Sequence, residues 1–143
     1  MNHQNHTTWE CIYHIVIVPK YRKKNLYGNV RKRIGQIIRE LAKQKEVEII
    51  QAHACPDHIH MILSIPPKHS VASVMGFLKG KSAIRAHLEF SKNKKPLTQK
   101  SFWSRGYFVR TVGIDRETAE KYVRDQWKKD QYVDGPQLDL SWN

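Results

Sequence analysis

The hydrophobic positions change period several times along the chain, and each change marks an element. Trp9 to Pro19 is rich in β-branched and aromatic residues and ends at a proline, the composition of a strand buried on both faces. Ile34, Ile37, Ile38 and Leu41 then recur at helical spacing among Lys, Arg and Glu, which predicts an amphipathic helix over Val30 to Lys45. Val47 to His53 and His58 to Ile65 form two further strands, joined by a turn at Cys55, Pro56 and Asp57, with Pro66 and Pro67 stopping the second. After Ser70, a suitable N-cap, Val71, Val74, Met75 and Leu78 return to helical spacing, and the pattern runs on to about Phe90. Ser91 to Arg105 has no period and carries four lysines, the mark of a functional or mobile loop. Tyr107 to Val112 is a short strand, Asp115 caps a last helix from Arg116 to about Asp130, and Val133 to Asn143 carries no pattern.

The order strand, helix, strand, strand, helix, strand, helix is that of an α+β, ferredoxin-like (RRM-like) fold: an antiparallel sheet with helices on one face, plus one C-terminal helix. At 143 residues the expectation is one domain over 1–143, with a core of about 9–131 and a tail at 133–143. Fold alone decides nothing about function.

Charge narrows the field. Lys and Arg number 25 against 13 Asp and Glu, a formal net charge of +12, which calls for a polyanionic partner, most commonly nucleic acid. A membrane partner is not expected, because Met1 to Trp9 is polar and no apolar run approaches the roughly 20 residues that span a bilayer. Cys11 and Cys55 are too few for a disulfide framework, so the expected compartment is the cytoplasm. The absence of a Gly-rich phosphate loop argues against a nucleotide cofactor.

Two constellations carry chemistry. Strand alternation puts Ile59, Met61, Leu63 and Ile65 on one face and His58, His60 and Ile62 on the other, so the two imidazoles point the same way and can converge on one metal ion. The same pattern also fits two hydrogen-bonded histidines on the less buried face, or a structural zinc site that adds Cys55 or His53, although no second separated ligand pair supports the latter. In the last helix Ala119, Val123 and Trp127 make a stripe that packs inward, and Tyr122 and Gln126 stand one turn apart at its margin. A phenol with a pKa near 10 is a poor nucleophile at neutral pH, so a catalytic Tyr122 requires a nearby metal or base to activate the phosphate it attacks, and the Gln126 carbonyl can supply a third metal ligand. Taken alone, both residues also fit an aromatic edge and a solvated amide. His14 alternates with Val16 and Val18 and reads as a hydrogen-bonded core histidine, and Asp57 either orients an imidazole or closes the turn, with the turn preferred.

With His58-Ile59-His60 on a strand and Tyr122 followed four residues later by Gln126, the sequence closely resembles the single-tyrosine HUH transposases of the IS-two-hundred and IS-six-hundred-and-five insertion-sequence type. The flanking stretches agree: Tyr13-His14-Ile15-Val16 leading to Pro19-Lys20-Tyr21-Arg22, Asp57 to Met61, Phe102 to Tyr107, and Thr111-Val112-Gly113, so the resemblance covers roughly Trp9 to Gln131. It implies a homodimer that joins two sheets into composite active sites, Mg2+ or Mn2+ bound by His58, His60 and Gln126, and Tyr122 as nucleophile. It further implies a substrate of single-stranded DNA with hairpins at the element ends, cut through a 5′-phosphotyrosine and rejoined by a second 3′-hydroxyl. Imidazole suits Mn2+ better than Mg2+, which leaves the ion open. Lys20, Arg22, Lys23, Arg31, Lys79, Lys81 and Arg85, with Lys92, Lys94 and Lys95 on the long loop, are the candidate DNA contacts, although a single lysine is more often merely solvated.

Two other readings fit parts of the chain. A non-catalytic RNA- or DNA-binding module of the same fold explains the charge and the element order, gives no reason for His58, His60, Tyr122 and Gln126 to occur together, and predicts no metal binding. A domesticated relative acting on dispersed repeats would keep the chemistry, and the DNA flanking the gene would distinguish it. Plasmid relaxases and replication initiators share the histidine pair but usually have longer chains and a third histidine.

Overall fold

The computed structural model of the chain describes residues 2–4, 7–9, 11–20, 28–90, 102–113, 117, 121, 122, 124, 125, 138 and 139. The elements are β1 (Asn2–Gln4), β2 (Thr7–Trp9), β3 (Ile12–Ile17), α1 (Gly28–Gln44), β4 (Glu48–Cys55), β5 (His58–Ser64), α2 (Val71–Phe90), β6 (Phe108–Gly113) and β7 (Leu138–Asp139). Strands β1 and β2 pair as a separate two-stranded ribbon, and the main sheet runs β6-β3-β5-β4-β7 with every pair antiparallel. The architecture is the expected α+β, ferredoxin-like one. Two placements differ from the sequence pattern. Trp9 belongs to the ribbon rather than to the first sheet strand, and the patternless tail supplies β7, which pairs Leu138 and Asp139 with Ala54 and His53.

Both helices lie on one face of the sheet. Ile15 and Ile17 of β3, Ala52 and Ala54 of β4, and Ile59, Met61 and Leu63 of β5 form one buried cluster with Ile34, Ile37, Ile38 and Leu41 of α1 and Val74, Met75 and Leu78 of α2. The alternation read from β5 therefore holds: its Ile, Met and Leu face the helices, and its histidines face away. Helix α1 ends in a Schellman motif, with Glu46 at φ 58° and Val47 N–H donating to the Ala42 carbonyl at 3.0 Å. Ser70 Oγ accepts the Ser73 N–H at 3.0 Å, which caps α2 where the sequence placed the cap. Between the helices Arg33 grips Glu89 through two nitrogens at 2.8 Å each, and the guanidinium holds the Glu89 carboxyl below the usual carboxylate range.

The segment after residue 101 is tied down rather than looped away. Lys20 N–H donates to the Phe102 carbonyl at 2.8 Å and Ser104 N–H to the Val18 carbonyl at 2.7 Å, and this pairing turns the Trp103 indole into the core. Its Nε1–H donates to Ser82 Oγ at 2.9 Å, on a stretch of α2 where the small residues Ser82, Ala83 and Ala86 are buried. Lys79 is buried, and its ammonium donates to the carbonyls of Ser104 at 2.8 Å and Gly106 at 2.6 Å. Burial pushes its pKa down, and the two carbonyls compensate the charge.

Candidate active site

The face of the sheet away from the helices carries the chemistry, because strand register lines up polar residues that are distant in sequence. Across β4 and β5, Cys55 stands opposite His58 and His53 opposite His60; across β3 and β6, His14 stands opposite Arg110 and Val16 opposite Phe108. Cross-strand partners share a face, so His14, His53, Cys55, His58, His60, Phe108 and Arg110 all lie on this side. The ring contacts agree: His58 and His60 centroids are 4.6 Å apart, His14 and His60 5.3 Å, and His14 and Phe108 6.0 Å.

Tyr122 reaches this face from the C-terminal part of the chain, where residues 117, 121, 122, 124 and 125 are helical. Its ring packs with Ile50 and Val112 against the buried pair Ile12 and Ile62, a small second core that fixes where the hydroxyl lies. The hydroxyl is 2.6 Å from His14 Nδ1, and His14 Nε2 is 3.1 Å from His60 Nδ1. A continuous hydrogen-bonded line thus runs from the phenol through His14 to the histidine pair. On the other side His58 Nδ1 donates to Asp57 Oδ1 at 2.7 Å, so Asp57 both occupies the turn and orients an imidazole. Gln126 lies outside the described residues.

The donor set suits a divalent ion. Among the described residues, the donor atoms of Cys55, His58 and His60 lie within 4.8 Å of one another. Each imidazole is oriented by a contact at Nδ1, His60 by His14 at 3.1 Å and His58 by Asp57 at 2.7 Å.

The family model for IS200-like transposases matches residues 7–126. The chain belongs to that family. It is 44% identical over 137 residues to the transposase for insertion sequence element IS200 of Salmonella typhimurium, covering 96% of this chain and 89% of the relative. It is 32% identical over 123 residues to the ISDra2 transposase TnpA of Deinococcus radiodurans, covering 85% and 88%. Among solved structures, a putative transposase from Deinococcus radiodurans superimposes with a TM-score of 0.69 at 26% identity, over 90% of this chain and 97% of the other. A REP-associated tyrosine transposase bound to a REP hairpin shares the fold, with a TM-score of 0.65 at 12% identity over 95% and 76%.

Against this transposase fold the sequence-derived DNA contacts separate. Lys79 is withdrawn, because its ammonium is buried on two backbone carbonyls. Arg85 is paired with Glu40 at 2.7 Å, and Arg85, Lys81 and Arg31 sit on the helices that cover the opposite face from His58 and His60. Lys20 is half-buried beside the Phe102 pairing. Arg22, Lys23, Lys92, Lys94 and Lys95 lie outside the described residues. Sequence alone assigns no functional role to His14, which reads only as a buried hydrogen-bonded histidine, or to Arg110, exposed on β6. The parity of β3 and β6 was the available signal for both, but it needs the strand register to be read. Among the described residues no helix is long and apolar enough to cross a membrane.

Proposed function

We propose that this IS200-like transposase cleaves and rejoins single-stranded DNA at insertion-sequence ends through a 5′-phosphotyrosine on Tyr122, with Mg2+ or Mn2+ held by His58, His60 and Gln126. The observation that carries the reading is the 2.6 Å contact of the Tyr122 hydroxyl with His14, itself 3.1 Å from His60. When bound, the ion would polarise the scissile phosphate and offset the charge that develops on its oxygens.

The residues of the chain do the rest. Asp57 accepts the His58 Nδ1–H and so keeps the Nε2 lone pair available as a ligand. If His60 likewise presents Nε2 as a lone pair, its Nδ1 carries the hydrogen and donates to His14 Nε2, which places a hydrogen on His14 Nδ1 aimed at the phenol oxygen. That donor favours the phenolate, the reactive form of a group whose ordinary pKa is near 10. His14 is thus a positioning residue for the nucleophile. The Tyr122 oxygen bonds to phosphorus as the bond from phosphorus to the 3′-oxygen breaks; the phenol proton leaves to solvent, and the departing 3′-oxygen gains one. The phosphotyrosine conserves the energy of the phosphodiester, so attack by another 3′-hydroxyl reverses the step on a new end without a nucleotide cofactor. Arg110, exposed beside His14, is placed to hold backbone phosphate. The exposed Phe108 and Val109 on the outer strand β6 support a homodimer formed by joining two sheets.

The test is to incubate the protein with single-stranded oligonucleotides from both flanks of its gene. An SDS-resistant protein–DNA adduct is expected with Mn2+ or Mg2+ and not with a chelator. Tight DNA binding with no adduct from either strand would instead favour a non-catalytic nucleic-acid module. Asp57→Asn, which keeps the turn but removes the carboxylate charge facing His58, is expected to weaken Mn2+ binding about tenfold by calorimetry; unchanged affinity would confine Asp57 to the turn.

A further inference from the structure

The proposed cleavage chemistry leaves Cys55 without a role. The thiol is buried, it stands opposite His58 across a two-residue turn, and its sulfur and the donor nitrogens of His58 and His60 lie within 4.8 Å of one another. A tetrahedral ion at ordinary bond lengths holds such donors roughly 3.3 to 3.6 Å apart, so small side-chain rotations close the set. All three donors come from one hairpin, whose register places them on one face. His58 also carries the carboxylate partner, Asp57, that metal-bound imidazoles usually have. Thiolate and imidazole together select against Mg2+ and for softer ions.

We propose that Cys55 completes, with His58 and His60, a three-donor site for a thiophilic divalent ion of the Zn2+ class, and that this ion competes with the cleavage ion for the same two imidazoles. Binding displaces the thiol proton to solvent and leaves a fourth position open to water. The competition rests on the reading of His58 and His60 as cleavage ligands; the site itself does not.

Titrating the metal-free full chain with Co2+ tests the site independently of activity. The expected result is a near-ultraviolet absorption from thiolate-to-cobalt charge transfer together with the visible bands of a tetrahedral ion, all displaced by Zn2+. Cys11→Ser should keep the thiolate band. Cys55→Ser, checked for folding by circular dichroism, should lose it and bind Zn2+ at least about tenfold more weakly. Co2+ bound to the wild-type chain without a thiolate band would overturn the site whether or not Cys55→Ser folds. Zn2+ should also raise the Mn2+ concentration needed for adduct formation, and a thiolate band without such inhibition would overturn the competition. A band with no covalent adduct under any metal would keep the site and refute the cleavage reading, whereas an adduct with no band would do the reverse.

Discussion

Tyr122→Phe is expected to form no covalent DNA adduct and to lower strand cleavage by at least about a thousandfold, because the change removes the one atom proposed to bond to phosphorus. The substitution is otherwise mild. The ring keeps its packing against Ile12 and Ile62, and loss of the contact with His14 should cost about 1 kcal/mol of stability. Single-stranded DNA binding should therefore be nearly unchanged while the chemistry disappears. Denaturing gels of the adduct, a binding isotherm and a melting curve on the same preparation separate these outcomes. An adduct that survives the substitution would move the nucleophile elsewhere; loss of binding as well would show that the hydroxyl acts through the fold.

The largest stability effect is expected at Trp103. Its side chain is 1% exposed, is packed against α2, and gives its indole N–H to Ser82. Trp103→Ala leaves a cavity of most of an indole and a buried hydroxyl without its donor, and should cost about 3 to 5 kcal/mol. For a chain of this size that corresponds to a melting temperature lower by roughly 10 °C or more. Trp103→Phe retains most of the apolar volume and should lose clearly less. A fall of under about 3 °C for the alanine variant would mean that the 102–107 segment does not anchor the core. The prediction bears on function because the same segment leads into β6, which carries Phe108 and Arg110 onto the histidine face, and Lys79 clamps it through two carbonyls.

Much of this was legible in the sequence. Helix α1, helix α2 with its Ser70 cap, the β4–β5 hairpin and the division of β5 into an apolar and a histidine face all follow from local period, and the family resemblance follows from short motifs at recognisable spacing. The failures share a different cause. The ribbon β1–β2 and the strand β7 are short, and what makes them strands is the partner each one meets. Lys79 reads from the sequence as a candidate DNA contact, but a backbone segment some 25 residues further on offers two carbonyls within its reach. Sequence spacing offers Cys55 and the histidines no second separated ligand pair; register across the turn places Cys55 beside His58 without one.

His14 shows the boundary most clearly. Its burial was readable from alternation within β3, but its contacts lie 46 residues away at His60 and 108 away at Tyr122. The sequence by itself determined which side chains share a strand or a helix face, because those relations repeat every two or about 3.6 residues. Only the tertiary structure decided which of those faces meet, because strand order and register between distant segments are set by packing and leave no period in the chain.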